Sequence, residues 1–192
     1  MAQAVLEHEQ GTQPPMRRQL TRYQCEVLQS AGLLEPGRYE LINGDLIDKM
    51  KNRPHVIMLW ALCKMLQKIF GWDYLNTEPS IDVSQEDYRT SALDPDLIVL
   101  RTPTPTVRSN PRASDIALAV EVSDSSLSTD LHAKAGLYAR AGIADYWVVD
   151  INRPRIIVHR EPTGLPGESV SPLALPGARV AVKELFDLWE GA

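Results

Sequence analysis

The chain has 192 residues, a formal net charge of −5 and a hydrophobic fraction of 44%. This is the length of one ordinary domain, and a chain of this size buries enough surface to fold without disulfides or a structural metal. The charge argues against a protein that coats nucleic acid nonspecifically, because such binding depends on clustered Lys and Arg. It does not argue against an enzyme acting on nucleic acid, since an acidic site and a local basic stripe can coexist with a negative total.

The sequence shows no pattern of a targeting or membrane segment. Residues 1–15 lack a cationic start followed by an apolar run, which a signal peptide would require. The longest purely apolar stretches, such as Ile116–Val120, are far too short to cross a bilayer. Cys25 and Cys63 match no ligand spacing, and we expect them to be small buried hydrophobes in a reducing compartment. We therefore expect a cytoplasmic protein that does not contact membranes.

Local signals in the first half of the chain alternate between helical and strand patterns. An Asn-Gly pair between two short apolar runs is the strongest short-range signal of a β-hairpin. In chain order, the patterns predict a helix from the N-cap Thr21 to about Ala31, a hairpin over Tyr39–Ile47, a helix over Pro54–Phe70 and an irregular strand over Tyr74–Val83.

The second half of the chain predicts several strands around one more helix. The predicted elements are strands over Asp96–Leu100 and Asp115–Ser123, a helix over Thr129–Ala141, strands over Tyr146–Asp150 and Arg155–His159, and a short strand or helical turn over Val180–Trp189. Residues 101–114 and 161–177 are rich in Pro and are predicted to be loops. This order is typical of an α/β fold, bordering on α+β, with one central mixed sheet.

Three residues form the candidate chemistry, and each also has a structural interpretation. Asp96 precedes an apolar strand, where Asp is also common turn chemistry. Glu121 follows the most apolar strand, where a desolvated carboxylate needs a partner or a metal unless the strand end has reached solvent. Lys134 falls in the predicted apolar stripe of its helix, so it either extends to the helix edge or points at the carboxylates.

Together, these residues are consistent with a metal-dependent hydrolase. Two carboxylates about 4 Å apart repel by roughly 4 kcal/mol at an effective dielectric near 20. A divalent cation removes that cost, and hard oxygen ligands suit Mg²⁺ or Mn²⁺. A nearby Lys could then hold the attacking water or stabilise charge on the transition state.

At these positions the sequence resembles the PD-(D/E)XK nuclease superfamily and, more narrowly, the Uma-two (Uma2) family of small restriction endonucleases. The resemblance covers roughly residues 21–188, and its order and spacing are more specific than any single segment. The segments that carry it are Tyr39-Glu40-Leu41-Ile42-Asn43-Gly44, Pro54-His55, Pro95-Asp96-Leu97, Glu121-Val122-Ser123, Lys134, Tyr138, Ala141-Gly142 and Tyr146-Trp147-Val148-Val149-Asp150.

The resemblance implies a restriction-endonuclease-like domain over residues 17–192, after a flexible tail over residues 1–16. It implies a central mixed β-sheet flanked by helices. Asp96 and Glu121 would be the metal ligands, with the backbone carbonyl of Val122 as a further ligand. Glu40 matches an acidic position that reaches the metal directly or through water, or else is an exposed strand residue paired with a Lys or Arg.

Two further positions follow from the resemblance. The superfamily's usual Lys, two residues after the Glu, is replaced here by Ser123, and Lys134 on the following helix occupies the matching place within the narrower family. His55 matches a position near the start of the second helix, where it is either accessory to the site or structural.

The leading interpretation is a Mg²⁺-dependent endonuclease that hydrolyses DNA, with Asp96 and Glu121 holding the ion and Lys134 assisting the nucleophilic water. The alternatives are a non-catalytic interaction or nucleic-acid-binding module on a nuclease fold, and another metal-dependent phosphoesterase. Three arginines in the loop over residues 101–114 are candidate phosphate contacts or a solvated surface: Arg101, Arg108 and Arg112. A homodimer would suit cleavage of both strands.

Overall fold

The structure is a computed structural model, and it describes residues 18–49, 51–160 and 169–191. The helices are α1 (Arg22–Ser30), α2 (Arg53–Phe70), α3 (Leu127–Thr129), α4 (Ala135–Ala141) and α5 (Val182–Glu190), with a π-helical turn over Asp130–Lys134 between α3 and α4. The strands are β1 (Tyr39–Ile42), β2 (Asp45–Asp48), β3 (Leu75–Thr77), β4 (Leu97–Leu100), β5 (Ile116–Ser123), β6 (Tyr146–Asp150), β7 (Arg155–His159), β8 (Ser169–Val170) and β9 (Val180–Ala181). The tail predicted over residues 1–16 lies outside the described residues.

Five strands form one central sheet in the order β3-β4-β5-β6-β7. The pair β5–β6 is parallel and the other three pairs are antiparallel, so the sheet is mixed. Helices flank it, and the predicted fold class is confirmed.

The sheet is covered on both faces, and a separate apolar core fills each side. One core contains buried residues of α2 and α5, and the other contains residues of β1 and α4. Every residue of β5 is consequently buried, which explains its continuous apolar sequence. Among the described residues, no helix is long and apolar enough to pass through a membrane.

The predicted hairpin is confirmed, and its turn has the backbone that Asn-Gly favours. Asn43 and Gly44 have φ of 50° and 86°, as a tight two-residue turn between twisted strands requires. A Cβ at Gly44 would also stand 2.5 Å from the Cβ of Gln19, so the position has no room for another residue.

One predicted strand is much shorter than expected. The predicted span Tyr74–Val83 forms a strand only over Leu75–Thr77. Glu78 follows with a positive φ of 53°, and Pro79 cannot donate to a ladder, so the pairing with β4 stops there.

Three other boundaries also differ from the prediction. The helical segment predicted from Thr129 begins at Leu127 and contains the π-helical turn, in which Asp130 and Lys134 are buried. Of the predicted loop over 161–177, residues 161–168 lie outside the described residues, and β8 forms within the remainder by pairing with β9. The C-terminal segment is a two-residue strand followed by the nine-residue helix α5.

The packing of α2 on the sheet yields a first prediction. Leu62 lies on α2 with none of its surface exposed, so Leu62→Ala should lower the free energy of unfolding by about 2–5 kcal/mol. Leu33→Ala is the matched control, because Leu33 is 72% exposed and its loss should change stability by less than about 0.5 kcal/mol. Urea denaturation measures both, and equal effects would contradict the assigned core.

Candidate active site

A polar cleft of about 120 Å³ opens where β4 begins and β5 ends. It is lined by seven acidic side chains and three lysines, so acidic groups outnumber basic ones. The carboxylates belong to Glu40, Asp48, Asp94, Asp96, Glu121, Asp124 and Asp130, and the lysines are Lys49, Lys51 and Lys134. All six residues predicted for the site line this cleft: Glu40, His55, Asp96, Glu121, Val122 and Lys134.

The antiparallel pairing of β4 and β5 brings Asp96 beside the end of β5. Leu97 pairs with Val120, and the two strands run in opposite directions. Asp96, which precedes Leu97, therefore lies next to the residues that follow Val120. The Oδ2 atom of Asp96 accepts a hydrogen bond from the Val122 amide at 2.8 Å and lies 3.1 Å from His55 Nε2. Burial alone would raise the pKa of Asp96, but His55, the Val122 amide and the Lys134 charge together hold it below its ordinary value.

Lys134 is the centre of the cluster. Its Nζ atom lies 2.7 Å from Glu40 Oε2, 2.9 Å from Glu121 Oε1 and 3.6 Å from Asp130 Oδ1, and Lys134 is only 7% exposed. Burial would lower the pKa of Lys134, but these carboxylates outweigh it and hold the pKa well above its ordinary value. The ammonium is therefore charged across the physiological range.

Glu121 lies on the face of the sheet that α4 covers, because alternate residues of β5 point to opposite faces. Its Oε1 atom also accepts a hydrogen bond from the Tyr138 hydroxyl at 2.6 Å. Complete burial raises the pKa of Glu121, and although Lys134 lowers it, Asp96 and Glu40 raise it further. The net effect is a pKa of Glu121 well above its ordinary value.

The π-helical turn supplies a carboxylate that the sequence reasoning missed. Asp130 is 1% exposed, and its Oδ2 atom accepts a hydrogen bond from Ser126 at 2.5 Å. Its Oδ1 atom is buried and has no hydrogen-bond partner among the described residues. Asp130 stands four residues before Lys134 on one helical segment, a spacing that could have indicated a shared face.

The chemistry of these donors fits a divalent cation. Asp96 Oδ1 and Glu121 Oε2 accept no hydrogen bond from the described residues, so both oxygens remain available as hard ligands. The Val122 amide points at Asp96, and in a strand the carbonyl of the same residue points to the same side. Lys134 contacts three buried carboxylates and Asp96 is a fourth, so buried acidic groups outnumber the ammonium and a cation would offset their repulsion.

A ready-made ligand cage is nevertheless absent within the described parts of the chain. No three His, Cys, Asp or Glu side chains there stand in position to hold an ion together. The reason is the Lys134 ammonium, which bridges Glu40 and Glu121. An ion would have to bind on the Asp96 side of Glu121.

The structure does not bring Arg101, Arg108 and Arg112 to the cleft. These arginines follow β4, whereas the cleft lies before β4, and four strand residues span about 13 Å. Two lysines that the sequence reasoning did not select line the cleft instead. Lys49 Nζ lies 2.6 Å from Asp94 Oδ2, and Lys51 Nζ lies 2.6 Å from Glu78 Oε1.

Comparison with known proteins gives the family and the fold of the chain. The sequence model of the Uma2 family, described as "Putative restriction endonuclease", matches residues 26–189. The chain belongs to the Uma2 family. The resemblance inferred from the sequence is thereby confirmed, and the family supports a nuclease. No curated protein matches this Uma2 chain.

A solved structure shares the fold of this Uma2 protein. It is the crystal structure of "a putative nuclease belonging to DUF820" from Anabaena variabilis ATCC 29413. The two proteins are 15% identical and superpose with a TM-score of 0.58, over 83% of this chain and 96% of the other. At this identity the likeness shows the fold, and residue roles must be argued from the geometry above.

The raised pKa of Glu121 predicts a pH-dependent effect of Glu121→Gln in metal-free protein. A carboxyl whose pKa rises on folding contributes stability that is full below its unfolded pKa and lost as the pH rises through the folded pKa. The neutral amide avoids that loss, so the stability of the variant relative to the wild type should rise from pH 4 to pH 8.

Thermal denaturation in EDTA at both pH values measures this difference. The control is Glu35→Gln, because the side chain of Glu35 is 72% exposed and its removal should leave stability within about 0.5 kcal/mol. A Glu121→Gln protein that is equally destabilised at pH 4 and pH 8 would contradict the assigned electrostatics.

Proposed function

We propose that this protein is a Mg²⁺-dependent endonuclease that hydrolyses phosphodiester bonds of DNA. The observation that carries the proposal is the buried Lys134 ammonium, which contacts Glu121 beside Asp96 at the end of a fully buried strand. Family membership supports the same class of reaction. The proposed hydrolysis needs carboxylates to hold the metal and a charged donor beside them, and the Lys134 ammonium next to Asp96 and Glu121 provides this combination.

Asp96, Glu121 and the Val122 carbonyl are the proposed ligands of Mg²⁺, for which Mn²⁺ could substitute. Glu40 would act directly or through water, although its Oε2 contacts Lys134 and its Oε1 accepts the Asp94 amide at 3.0 Å. When bound, such an ion supplies charge neutralisation and a more acidic water.

Lys134 is the proposed partner of the nucleophilic water. Lys134 has three N–H groups, of which two make the short contacts with Glu40 and Glu121. The contact with Asp130 is longer, at 3.6 Å, so the third N–H is the one proposed to donate to the water or to an oxygen of the phosphate. A charged donor at this place stabilises the negative charge that develops as water attacks phosphorus. His55 is a positioning residue, because its Nε2 holds the Asp96 carboxylate in place.

The partner and compartment follow from the same proposal. Lys49 and Lys51 at the cleft are suited to phosphates of the substrate. Cutting both strands of a duplex requires two clefts, which a homodimer would supply. The edge strand β7, with half-buried Ile157 and Val158, is the surface we propose for it, in a cytoplasmic enzyme.

The nuclease proposal predicts metal-dependent nicking of supercoiled plasmid. Wild-type protein should nick it in Mg²⁺ or Mn²⁺ and not in EDTA. Asp96→Asn should abolish both nicking and the rise in melting temperature that Mg²⁺ causes in the wild type. Lys134→Met should reduce the nicking rate by about 10²–10³-fold yet keep that rise.

Lys183→Met is the matched control, since the Lys183 side chain is 84% exposed and lies outside the cleft. It should cut at the wild-type rate. Metal binding that requires Asp96, without cleavage of any nucleic acid, would refute the nuclease and favour a binding module or another phosphoesterase.

The positions of the lysines and arginines predict different effects on substrate affinity. Lys51→Glu should raise KM for DNA by about tenfold with little change in kcat, and should reduce the salt slope of binding by about one. Arg108→Glu should change neither KM nor the salt slope, because this exposed arginine lies in the loop after β4. The reverse ranking in steady-state kinetics would show that the substrate approaches from the other end of the sheet.

A further inference from the structure

Helix α2 carries a charge pattern opposite to that of the whole chain. The protein has 25 acidic residues and a net charge of −5, yet the 18 residues of α2 include no acidic residue and three basic ones. The basic residues are Arg53, Lys64 and Lys68, and all three are exposed. The outer face of this helix is therefore a local positive region on a negative protein.

The same face exposes large aromatic side chains. Trp60 is 46% exposed, and Trp72, just beyond the helix, is 62% exposed. Both line a shallow groove together with Val56, Leu59, Cys63, Lys64 and Gln67. The Nζ atom of Lys64 lies 4.4 Å from the centre of the Trp60 ring, a cation–π contact that holds the indole in place.

The helical rotation separates the aromatic and basic residues into adjoining stripes. At about 100° per residue, Val56, Trp60 and Gln67 fall within a sector of about 40°. Arg53, Lys64 and Lys68 fall within the adjoining sector of about 60°. The stripe that contains the aromatic side chain thus lies beside a row of basic side chains along one helix.

We propose that this face of α2 binds an unpaired nucleic-acid strand, with bases stacked on Trp60 and Trp72 and phosphates held by Arg53, Lys64 and Lys68. Aromatic platforms beside a basic track are the arrangement by which proteins hold single strands without reading sequence. From Val56 to Gln67 the groove runs about 16 Å, which matches four or five nucleotides at about 3.4 Å each.

The groove begins at the end of α2 that reaches the candidate active site. His55, in the first turn of α2, lines the cleft, and the next residue, Val56, begins the groove. A strand leaving the cleft would pass onto this face. The proposal rests on the nuclease function for its purpose, because it makes substrates with an unpaired end the preferred class.

Charge favours nucleic acid over a second copy of the chain as the occupant. In a two-fold dimer through this face, the basic row would meet the basic row of the partner, and like charges repel. The neighbouring helix α5 packs against α2 and exposes Glu184, Asp187 and Glu190, so phosphates should follow the basic side of α2.

The test measures binding of fluorescein-labelled dT12 in EDTA, where no cleavage occurs. Anisotropy should show that Trp60→Ala and Trp72→Ala each weaken binding by about tenfold. Lys64→Glu combined with Lys68→Glu should weaken it at least as much and flatten its salt dependence. Tyr23→Ala is the matched control, because Tyr23 is 72% exposed on α1 and its loss should change nothing.

The outcomes separate this proposal from the nuclease proposal. Wild-type affinity in both tryptophan variants, with unchanged melting temperatures, would overturn the strand-binding face even if the protein cuts plasmid. So would light scattering that shows a dimer dissociated by Trp60→Ala, since a second copy would then occupy the groove. Loss of dT12 binding in these variants supports the face whether or not the protein cleaves DNA.

Discussion

The ionic contacts of the buried Lys134 ammonium hold the carboxylates of the site together. The ammonium contacts carboxylates contributed by β1, β5 and the π-helical turn, three segments that are far apart in the sequence. Removing one partner of a buried charge pair typically costs about 3–5 kcal/mol, because the remaining charge is left without compensation. Within a fold held by apolar packing, Lys134 therefore specifies how the hairpin, the sheet and the helical segment meet.

The two apolar cores cover the sheet that carries this charged cluster and keep its side chains away from solvent. Because β5 is covered on both faces, the Glu121 side chain reaches only the cleft, where Lys134 and Tyr138 donate hydrogen bonds to its carboxylate. The same burial that makes the cluster costly makes its electrostatic interactions strong. The proposed cation would relieve the repulsion among these buried carboxylates.

Local charge, not the total, matters most for the proposed activity. The cleft is acidic, Lys49 and Lys51 stand at its wall, and α2 leads away from it with only basic charges. A cation in the cleft would offset the acidic excess where the scissile phosphate must approach. The net charge of −5 is compatible with a nucleic-acid substrate because positive and negative groups occupy separate regions.

Local signals in the sequence predicted individual elements, and the family resemblance selected Asp96, Glu121 and Lys134, which the structure brings to one cleft. The hairpin turn, β6 and β7 were predictable because neighbouring residues set their backbone conformation. Two features became visible only in the folded protein. Asp130 contacts Lys134, and the arginine loop lies away from the cleft. The spacing of Asp130 and Lys134 indicates a shared face, but the strands that this face meets, and the end of the sheet at which the arginine loop lies, depend on how distant strands such as β4 and β5 pair.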